Sequence, residues 1–261
     1  MSAPQDFSAW KAARLAALTA EDGWLNLTDR IAIGEDWQNL GSGPGNDLIL
    51  SRGPGYIGRL RLTATGAELE TPDFRHDFTA TTGNPMLRLA PFLLELHTVA
   101  GETALRVRDL TMPREVGLNY FRYDPAWNIM AEWEALRVPV AQIVGQKGAG
   151  AEVVSLTHRA HFQRDSRKIT LLATHWKGAL PMFVIRDATS GAETYAAARF
   201  LIGLPDGDRI RLDFNRAHNP PCAFTDFAIC PLPLRDNILP FRIAAGERRL
   251  PPELERQFAK S

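Results

Sequence analysis

The sequence predicts a mainly β protein: an N-terminal helix, then a β-sandwich-like lobe, then a larger antiparallel lobe that is a β-barrel or a sandwich. Three observations carry this prediction. Helical periodicity marks the first twenty residues, short segments of alternating polarity follow from residue 24, and Gly, Pro and Asn separate these segments. No alternation of strands with helices over about 30 residues is present, which disfavours a parallel α/β fold.

The first segment, within residues 1–22, is predicted to be an amphipathic helix. Residues of one face recur at three- and four-residue spacing: Phe7, Trp10, Arg14, Leu15 and Leu18. Asp6 or Ser8 is suited to cap its start. Charges interrupt any continuous apolar run, so the segment does not have the pattern of a signal peptide. We expect the helix to dock its aromatic face on the domain that follows.

Two β lobes are predicted after the helix, at residues 23–80 and 81–261. The interruption of alternation at residues 71–85 suggests the boundary. The glycine-rich turn at 41–46 leads into a strand rather than into the N-terminus of a helix, which argues against a phosphate-binding loop. Strand-like segments in the second lobe lie at 92–99, 103–110, 134–140, 151–156, 168–176 and 181–188.

Composition narrows the partners and the location. The 261 residues contain 30 basic and 30 acidic side chains, so no net charge recruits nucleic acid or an anionic membrane surface. The longest apolar run is too short to span a membrane. With two cysteines the chain is not a disulfide scaffold, and we expect a cytoplasmic protein. Oligomeric state stays open.

The most informative stretch is residues 212–233, LDFNRAHNPPCAFTDFAICPLP, which holds both cysteines and four prolines. Proline fixes φ and removes a backbone donor, so this stretch is neither a regular helix nor a central strand. A long irregular segment rich in polar and aromatic side chains is typical of a functional loop.

Polar residues on and near the strands of the second half predict a ligand site. Buried polar groups must pair with each other or with a ligand. The predicted ligand-binding residues are Arg106, Arg108, Asp187, Glu193, Tyr195, Arg199, Asp213, Asn215, Asn219 and Cys222. Arginine recognises carboxylate or phosphate through paired hydrogen bonds, so Arg106, Arg108 and Arg199 are expected to line a pocket for a small anion. The carboxylates near arginine suit structural bridges better than a general acid.

Cys222 and Cys230 leave several interpretations open. They are buried thiols, metal ligands with His218, a disulfide, or a reactive thiol that needs a positive neighbour such as Arg216. Their spacing lacks the short zinc-knuckle pattern, so no metal site is assigned and the cofactor is left undefined. His158 and His161, three apart on a predicted strand, point to opposite faces and are a poor metal pair.

Two segments, FVIRDATSGAETYAAARFL (183–201) and LDFNRAHNPPCAFTDFAICPLPLRDNILPFRIAAGE (212–247), resemble the bacterial and archaeal family known as domain of unknown function 1684. The resemblance extends over nearly the whole chain. It implies a bacterial or archaeal source and no established reaction. In typical members of this family the position of His218 looks like tyrosine. The resemblance therefore makes His218 a poor candidate for a catalytic base shared by the family.

A second resemblance covers about fifty residues from LGSGPGNDLIL (40–50), which is similar to the opening of a forkhead-associated β-sandwich. That family binds phosphothreonine through an arginine, a serine and a histidine. Ser42 stands at the arginine position here, Ser51 and Arg52 are kept, and the histidine is missing. The resemblance therefore implies a sandwich-like lobe more than phosphopeptide binding.

Two functional classes follow. The first is a small-molecule site, with or without catalysis, in the second lobe under the NPPCAFT loop (residues 219–225). The second is a non-catalytic interaction module that uses the forkhead-like lobe or exposed tryptophans such as Trp127 and Trp133. No hydrolase or metalloprotease motif is present, so whether the protein is an enzyme stays open. We expect the first class, with a small anionic ligand.

Overall fold

The computed structural model describes residues 5–80, 82–99 and 101–254. They form two compact units: the N-terminal unit of residues 17–115, and the C-terminal unit of residues 5–16 together with 116–254. Both consist mainly of antiparallel strands, which confirms the predicted mainly β class. The domains predicted from the sequence, which divide between residues 22 and 23 and between residues 80 and 81, differ from this grouping and stay a prediction. Residues 1, 81 and 261, which bound these predicted domains, lie outside the described residues.

Helix α1 spans Gln5–Thr19, as its periodicity predicts. Phe7 is buried, and its ring centroid lies 5.2 Å from that of Tyr123 and 6.3 Å from that of Tyr120, both in the C-terminal unit. Leu15 is 40 % exposed, so the inward face is narrower than the sequence predicted. In the described part of the chain, no helix is long and apolar enough to cross a membrane.

The N-terminal unit contains two sheets. Its strands are β1 Leu27–Ala32, β2 Gln38–Gly41, β3 Leu48–Ile49, β4 Gly58–Thr63, β5 Gly66–Glu70, β6 Arg75–Thr79, β7 Met86–Leu89, β8 Phe92–Val99 and β9 Glu102–Asp109. One sheet has the order β1-β9-β8-β7. The other has the order β3-β2-β4-β5-β6, in which β2 and β3 run parallel.

Apolar side chains from both sheets share one core. Leu60 comes from the five-stranded sheet, and Leu94 and Val107 come from the four-stranded sheet. This arrangement is sandwich-like, as predicted for this part of the chain. Because side chains alternate along a strand, Arg106 and Arg108 of β9 lie on the face of their sheet opposite to Val107.

The C-terminal unit is built on one large antiparallel sheet. Its strands are β10 Asn128–Lys147, β11 Ala151–Arg164, β12 Arg167–Leu172, β13 His175–Lys177, β14 Leu180–Ile185, β15 Arg199–Asp206, β16 Arg209–Asp213 and β17 Cys230–Pro231. Their order is β12-β11-β10-β16-β15-β14-β13, and β17 pairs with β10.

This sheet is open, so the barrel alternative is wrong and the sandwich-like description stands. Closure would require β12 and β13, the two ends of the order, to pair with each other. Among the described residues β12 pairs with β11 and β13 pairs with β14 instead. The main core lies on one side of the sheet and includes Phe162, Phe183 and Phe214.

The segment at 212–233 is irregular, as its prolines predict. After the end of β16 it forms two 3-10 turns, Phe214–Arg216 and Pro221–Ala223, and then the two-residue strand β17. Phe214 and Phe224 are nevertheless fully buried. The NPPCAFT loop is therefore packed into the C-terminal unit rather than held away from it.

Candidate functional site

A cavity of about 670 Å³ opens in the C-terminal unit beside α1, and we call it the α1 cavity. Asp6 and Trp10, four residues apart and so on one face of the helix, form one side. Strands β13 to β16 form the opposite wall, and His218 lies at the start of the NPPCAFT loop. This volume is typical of pockets that hold small organic molecules.

Carboxylates neutralise one of the three cations in the cavity wall. The guanidinium of Arg216 lies 2.5 Å from a carboxylate oxygen of Asp6 and 3.2 Å from one of Asp213. Asp6 is on α1 and Asp213 ends β16, so these bridges join the helix to the sheet edge. Arg216 is thereby fixed, and its charge is compensated within the protein.

The other two cations, Lys177 on β13 and Arg211 on β16, have exposed side chains that face the same cavity. Neither makes an ion pair with another residue in the described part of the chain. An unpaired guanidinium or ammonium attracts a carboxylate or phosphate. The cavity therefore combines two available positive charges with aromatic and aliphatic walls.

His218 contributes a neutral ring to this cavity. Burial, together with the nearby charge of Arg14, lowers the pKa of His218 to about 3. Its Nδ1 lies 3.1 Å from the carbonyl oxygen of Arg216, so Nδ1 carries the proton and donates it there. The Nε2 atom is then a hydrogen-bond acceptor. The Trp10 ring lies 6.2 Å from the imidazole, centroid to centroid.

The family model described as Protein of unknown function (DUF1684) matches residues 116–248. The chain belongs to this family. No curated protein matches it. A similar solved structure is the solution NMR structure of the uncharacterised protein from gene locus rrnAC0354 of Haloarcula marismortui, which is 29 % identical. The likeness covers 51 % of this chain and 76 % of that one, with a TM-score of 0.42.

Eight of the ten predicted ligand-binding residues lie inside the DUF1684 segment, and one of them, Asp213, lines the α1 cavity. Arg106 and Arg108 precede the segment. The structure therefore does not bring the ten residues to one place; it distributes them over the separate clusters described next.

Arg199 and Asp187 form a closed buried pair within the DUF1684 segment. Arg199 Nη2 lies 2.6 Å from Asp187 Oδ2, and their side chains are 1 % and 0 % exposed. The guanidinium also donates to the carbonyl oxygens of Ala245 and Ile243. The other oxygen of Asp187, Oδ1, accepts from the N–H and hydroxyl of Thr189. This network joins β15 to the final loop and leaves little capacity for a ligand.

Three further predicted residues are used by the chain itself. Asn215 donates to the carbonyl oxygen of Asp124 at 2.9 Å and to the carboxylate of Asp213 at 3.0 Å. The side chain of Asn219 donates to the carbonyl oxygen of Arg248. Glu193 accepts two 2.8 Å hydrogen bonds from the exposed Arg242. These contacts hold the DUF1684 loops against one another.

In the N-terminal unit, Arg106 and Arg108 flank the buried carboxylate of Glu95. Arg108 Nη1 lies 2.7 Å from one oxygen of Glu95, and Arg106 Nη1 lies 3.6 Å from the other. Burial lowers the pKa of Arg106 to about 10. The Arg106 guanidinium also lies 5.0 Å from the centroid of the Trp24 ring. Their part in ligand binding stays a prediction.

The remaining two predicted residues, Tyr195 and Cys222, form a cluster with Lys147. Lys147 Nζ donates to the Tyr195 hydroxyl at 2.7 Å, and that hydroxyl donates to the carbonyl oxygen of Cys222 at 2.6 Å. The positive neighbour of Cys222 is therefore Lys147, where the sequence suggested Arg216. In the described part of the chain, no group of three or more His, Cys, Asp or Glu side chains is placed to hold a metal ion.

Residues expected to serve an interaction module have internal partners. Trp127 is 6 % exposed, so its predicted exposure is wrong. Trp133 stacks on His158 with a centroid distance of 4.8 Å. Ser42 Oγ donates to the carbonyl oxygen of Gly53, and Ser51 Oγ donates to that of Thr28. Phosphopeptide binding by the forkhead-like segment stays a prediction.

The sequence prediction missed most of the α1 cavity, including Lys177, Arg211 and Tyr123. One signal was available: Arg209 and Arg211 alternate with buried residues along β16, which places both on its exposed face. The contribution of α1 had no such signal, because Asp6 and the strand residues it faces are about two hundred positions apart in the chain.

Proposed function

We propose that the α1 cavity binds a small anionic molecule that carries an apolar or planar part. The observation that supports this is the presence of Lys177 and Arg211 in the cavity wall without ion-pair partners among the described residues. Both charges are available to a ligand, whereas Arg216 is compensated by Asp6 and Asp213. A carboxylate or phosphate group matches the chemistry of either free cation.

The rest of the wall suits the uncharged part of such a ligand. Trp10 and Tyr123 supply aromatic surface, and Leu180 and Ile202 supply aliphatic surface. The Nε2 atom of His218 adds one hydrogen-bond acceptor, which suits a ligand hydroxyl or amide N–H beside the anionic group. His218 of the lining immediately precedes the NPPCAFT loop, and the whole lining belongs to the C-terminal unit.

We also propose a cytoplasmic location. Cys222 and Cys230 are both free thiols, although the backbone N–H of Cys222 donates to Cys230 Sγ at 3.2 Å. A pair of thiols this close persists in the reduced form in a reducing compartment.

The test is isothermal titration calorimetry with benzoate, phenyl phosphate and, as the neutral counterpart, benzyl alcohol. We expect one or both anions to bind and the alcohol not to bind. Lys177→Met and Arg211→Met should each weaken anion binding by about tenfold, because each removes one charge-assisted contact.

The matched control is Arg167→Met, which removes an exposed arginine from β12 outside the lining of the α1 cavity. This variant should bind the anions like the unmodified protein. The proposal fails if neither anion binds, or if the Lys177→Met/Arg211→Met double variant keeps the original affinity while it unfolds at the same temperature as the control.

A further inference from the structure

Two buried thiols lie together at the end of the NPPCAFT loop. Cys222 is 4 % exposed and Cys230 is 2 % exposed. Strand β17 brings Cys230 opposite Lys147 of β10, and the 3-10 turn at Pro221–Ala223 brings Cys222 over the same strand pair. The N–H of Cys222 donates to Cys230 Sγ at 3.2 Å. This contact places the sulfur of one cysteine against the backbone of the other.

Lys147 and Tyr195 complete the dithiol cluster, which we define as Cys222, Cys230, Lys147 and Tyr195. Lys147 Nζ donates to the Tyr195 hydroxyl at 2.7 Å and to the carbonyl oxygen of Cys222 at 3.1 Å. The Tyr195 hydroxyl lies 2.6 Å from that carbonyl and 3.7 Å from Cys222 Sγ. The hydroxyl gives its single proton to the carbonyl oxygen, so the sulfur of Cys222 has a polar hydroxyl and an ammonium nearby rather than a dedicated donor.

These contacts stabilise a thiolate at one of the two cysteines. A positive neighbour and hydrogen-bond donors favour the ionised form of a thiol. The hydrogen bond from the Cys230 thiol is the largest cause that lowers the pKa of Cys222, to about 7, and that interaction together with burial raises the pKa of Cys230. These pKa directions, with the Lys147 ammonium held at the Cys222 carbonyl oxygen, favour Cys222 as the nucleophilic sulfur.

We propose that the dithiol cluster is an oxidation site for small hydroperoxides, in which Cys222 is the attacking thiol and Cys230 resolves it to a disulfide. Because both thiols are buried, a small oxidant such as hydrogen peroxide or a short alkyl hydroperoxide reaches them more easily than a bulky one. None of the four residues of the dithiol cluster lines the α1 cavity, so oxidation of the thiols does not depend on ligand binding there.

The reaction has two steps. The Cys222 thiolate attacks the terminal oxygen of the hydroperoxide, the O–O bond breaks, and the leaving oxygen takes up a proton to become water or an alcohol, which leaves Cys222 as a sulfenic acid. Cys230 sulfur then attacks Cys222 sulfur, the S–O bond breaks, and water leaves with the thiol proton. Overall, two thiols lose two hydrogens and one hydroperoxide is reduced.

The test is intact-mass spectrometry of the full chain after exposure to hydrogen peroxide without reductant. We expect a product about 2 Da lighter that a phosphine reductant converts back, and a peptide map that links Cys222 to Cys230. With Cys230→Ser, a sulfenic acid should accumulate on Cys222 and be trapped by dimedone. With Cys222→Ser, neither product should form at a comparable rate.

The role of the lysine is tested by the pH profile of alkylation of Cys222 by iodoacetamide. Lys147→Met should move the midpoint of this profile to higher pH and slow oxidation at neutral pH several-fold. Lys168→Met, which removes an exposed lysine of β12, is the matched control and should leave both unchanged. This readout separates an effect on the thiol from a loss of folding.

Three results would overturn the proposal. The first is two free thiols in the folded protein after prolonged treatment with excess peroxide. The second is a disulfide that forms only between two chains. The third is an unchanged oxidation rate in Cys222→Ser, which would make Cys230 the attacking thiol.

Discussion

Replacing Arg199 with methionine should destabilise the C-terminal unit strongly, because the arginine compensates a buried carboxylate. Its side chain is 1 % exposed and that of Asp187 is 0 % exposed, with 2.6 Å between their closest atoms. In Arg199→Met, Asp187 Oδ2 loses its cation and the carbonyl oxygens of Ala245 and Ile243 lose a donor. Removing one partner of a buried ion pair costs about 3–5 kcal/mol of unfolding free energy.

The assay is urea unfolding at pH 7, with the unfolding free energy of the variant compared with that of the original chain. The Asp187→Asn/Arg199→Met double variant should recover part of the loss, because it leaves no uncompensated charge. Arg159→Met, which breaks an exposed pair with Glu134, should change stability little and is the control. A loss below about 1 kcal/mol in Arg199→Met would refute this account of the pair.

Two further predictions concern stability. The pKa of His218 is about 3 in the folded chain against 6.5 ordinarily, so between these values the unfolded chain binds a proton that the folded chain does not. The unfolding free energy should therefore fall by about 2 kcal/mol from pH 7 to pH 5, and His218→Gln should lack this part of the fall. The same pH dependence of the unfolding free energy in both proteins would contradict the prediction. A Cβ at Gly41 would lie 2.5 Å from the carbonyl oxygen of Gly55, whereas one at Gly45 would meet nothing within 4 Å. Gly41→Ala should lower the unfolding free energy by about 1–3 kcal/mol, whereas Gly45→Ala should leave it unchanged. A lower melting temperature for Gly45→Ala than for Gly41→Ala would show that the backbone at Gly41 tolerates a side chain.

Alternation of polarity predicted the strands that have one buried face. The segment 92–99 is β8 to the residue, because its apolar side chains face the sandwich core. The strand β6, Arg75–Thr79, was missed because the sequence RHDFT has one buried apolar residue, Phe78. β6 lies at the edge of its sheet, and Phe78 is its one buried residue. The pattern of alternating polarity therefore did not reveal this edge strand, and the sequence of residues 71–85 instead suggested a break between lobes.

The candidate site was less predictable, because ion pairing decides which cations are available. Arg216 and Arg211 look equivalent in the sequence, yet Arg216 is compensated by Asp6, which is 210 positions away in the chain. Arg199 looked suited to an anion, but its guanidinium is bonded to Asp187 and to the carbonyl oxygens of Ala245 and Ile243. Asp213 ends a strand beside the irregular loop and lines the cavity, and its part in ligand binding stays a prediction. Sequence spacing alone cannot assign such long-range partners.

The most direct test of the central proposal is an NMR titration of isotope-labelled full-length protein with benzoate or phenyl phosphate, with the backbone amide shifts followed residue by residue. Binding in the α1 cavity predicts saturable shifts centred on Lys177, Arg211 and His218, and their loss in the Lys177→Met/Arg211→Met double variant. Shifts centred on Arg106 and Arg108, or no saturable shifts with either anion, would contradict it.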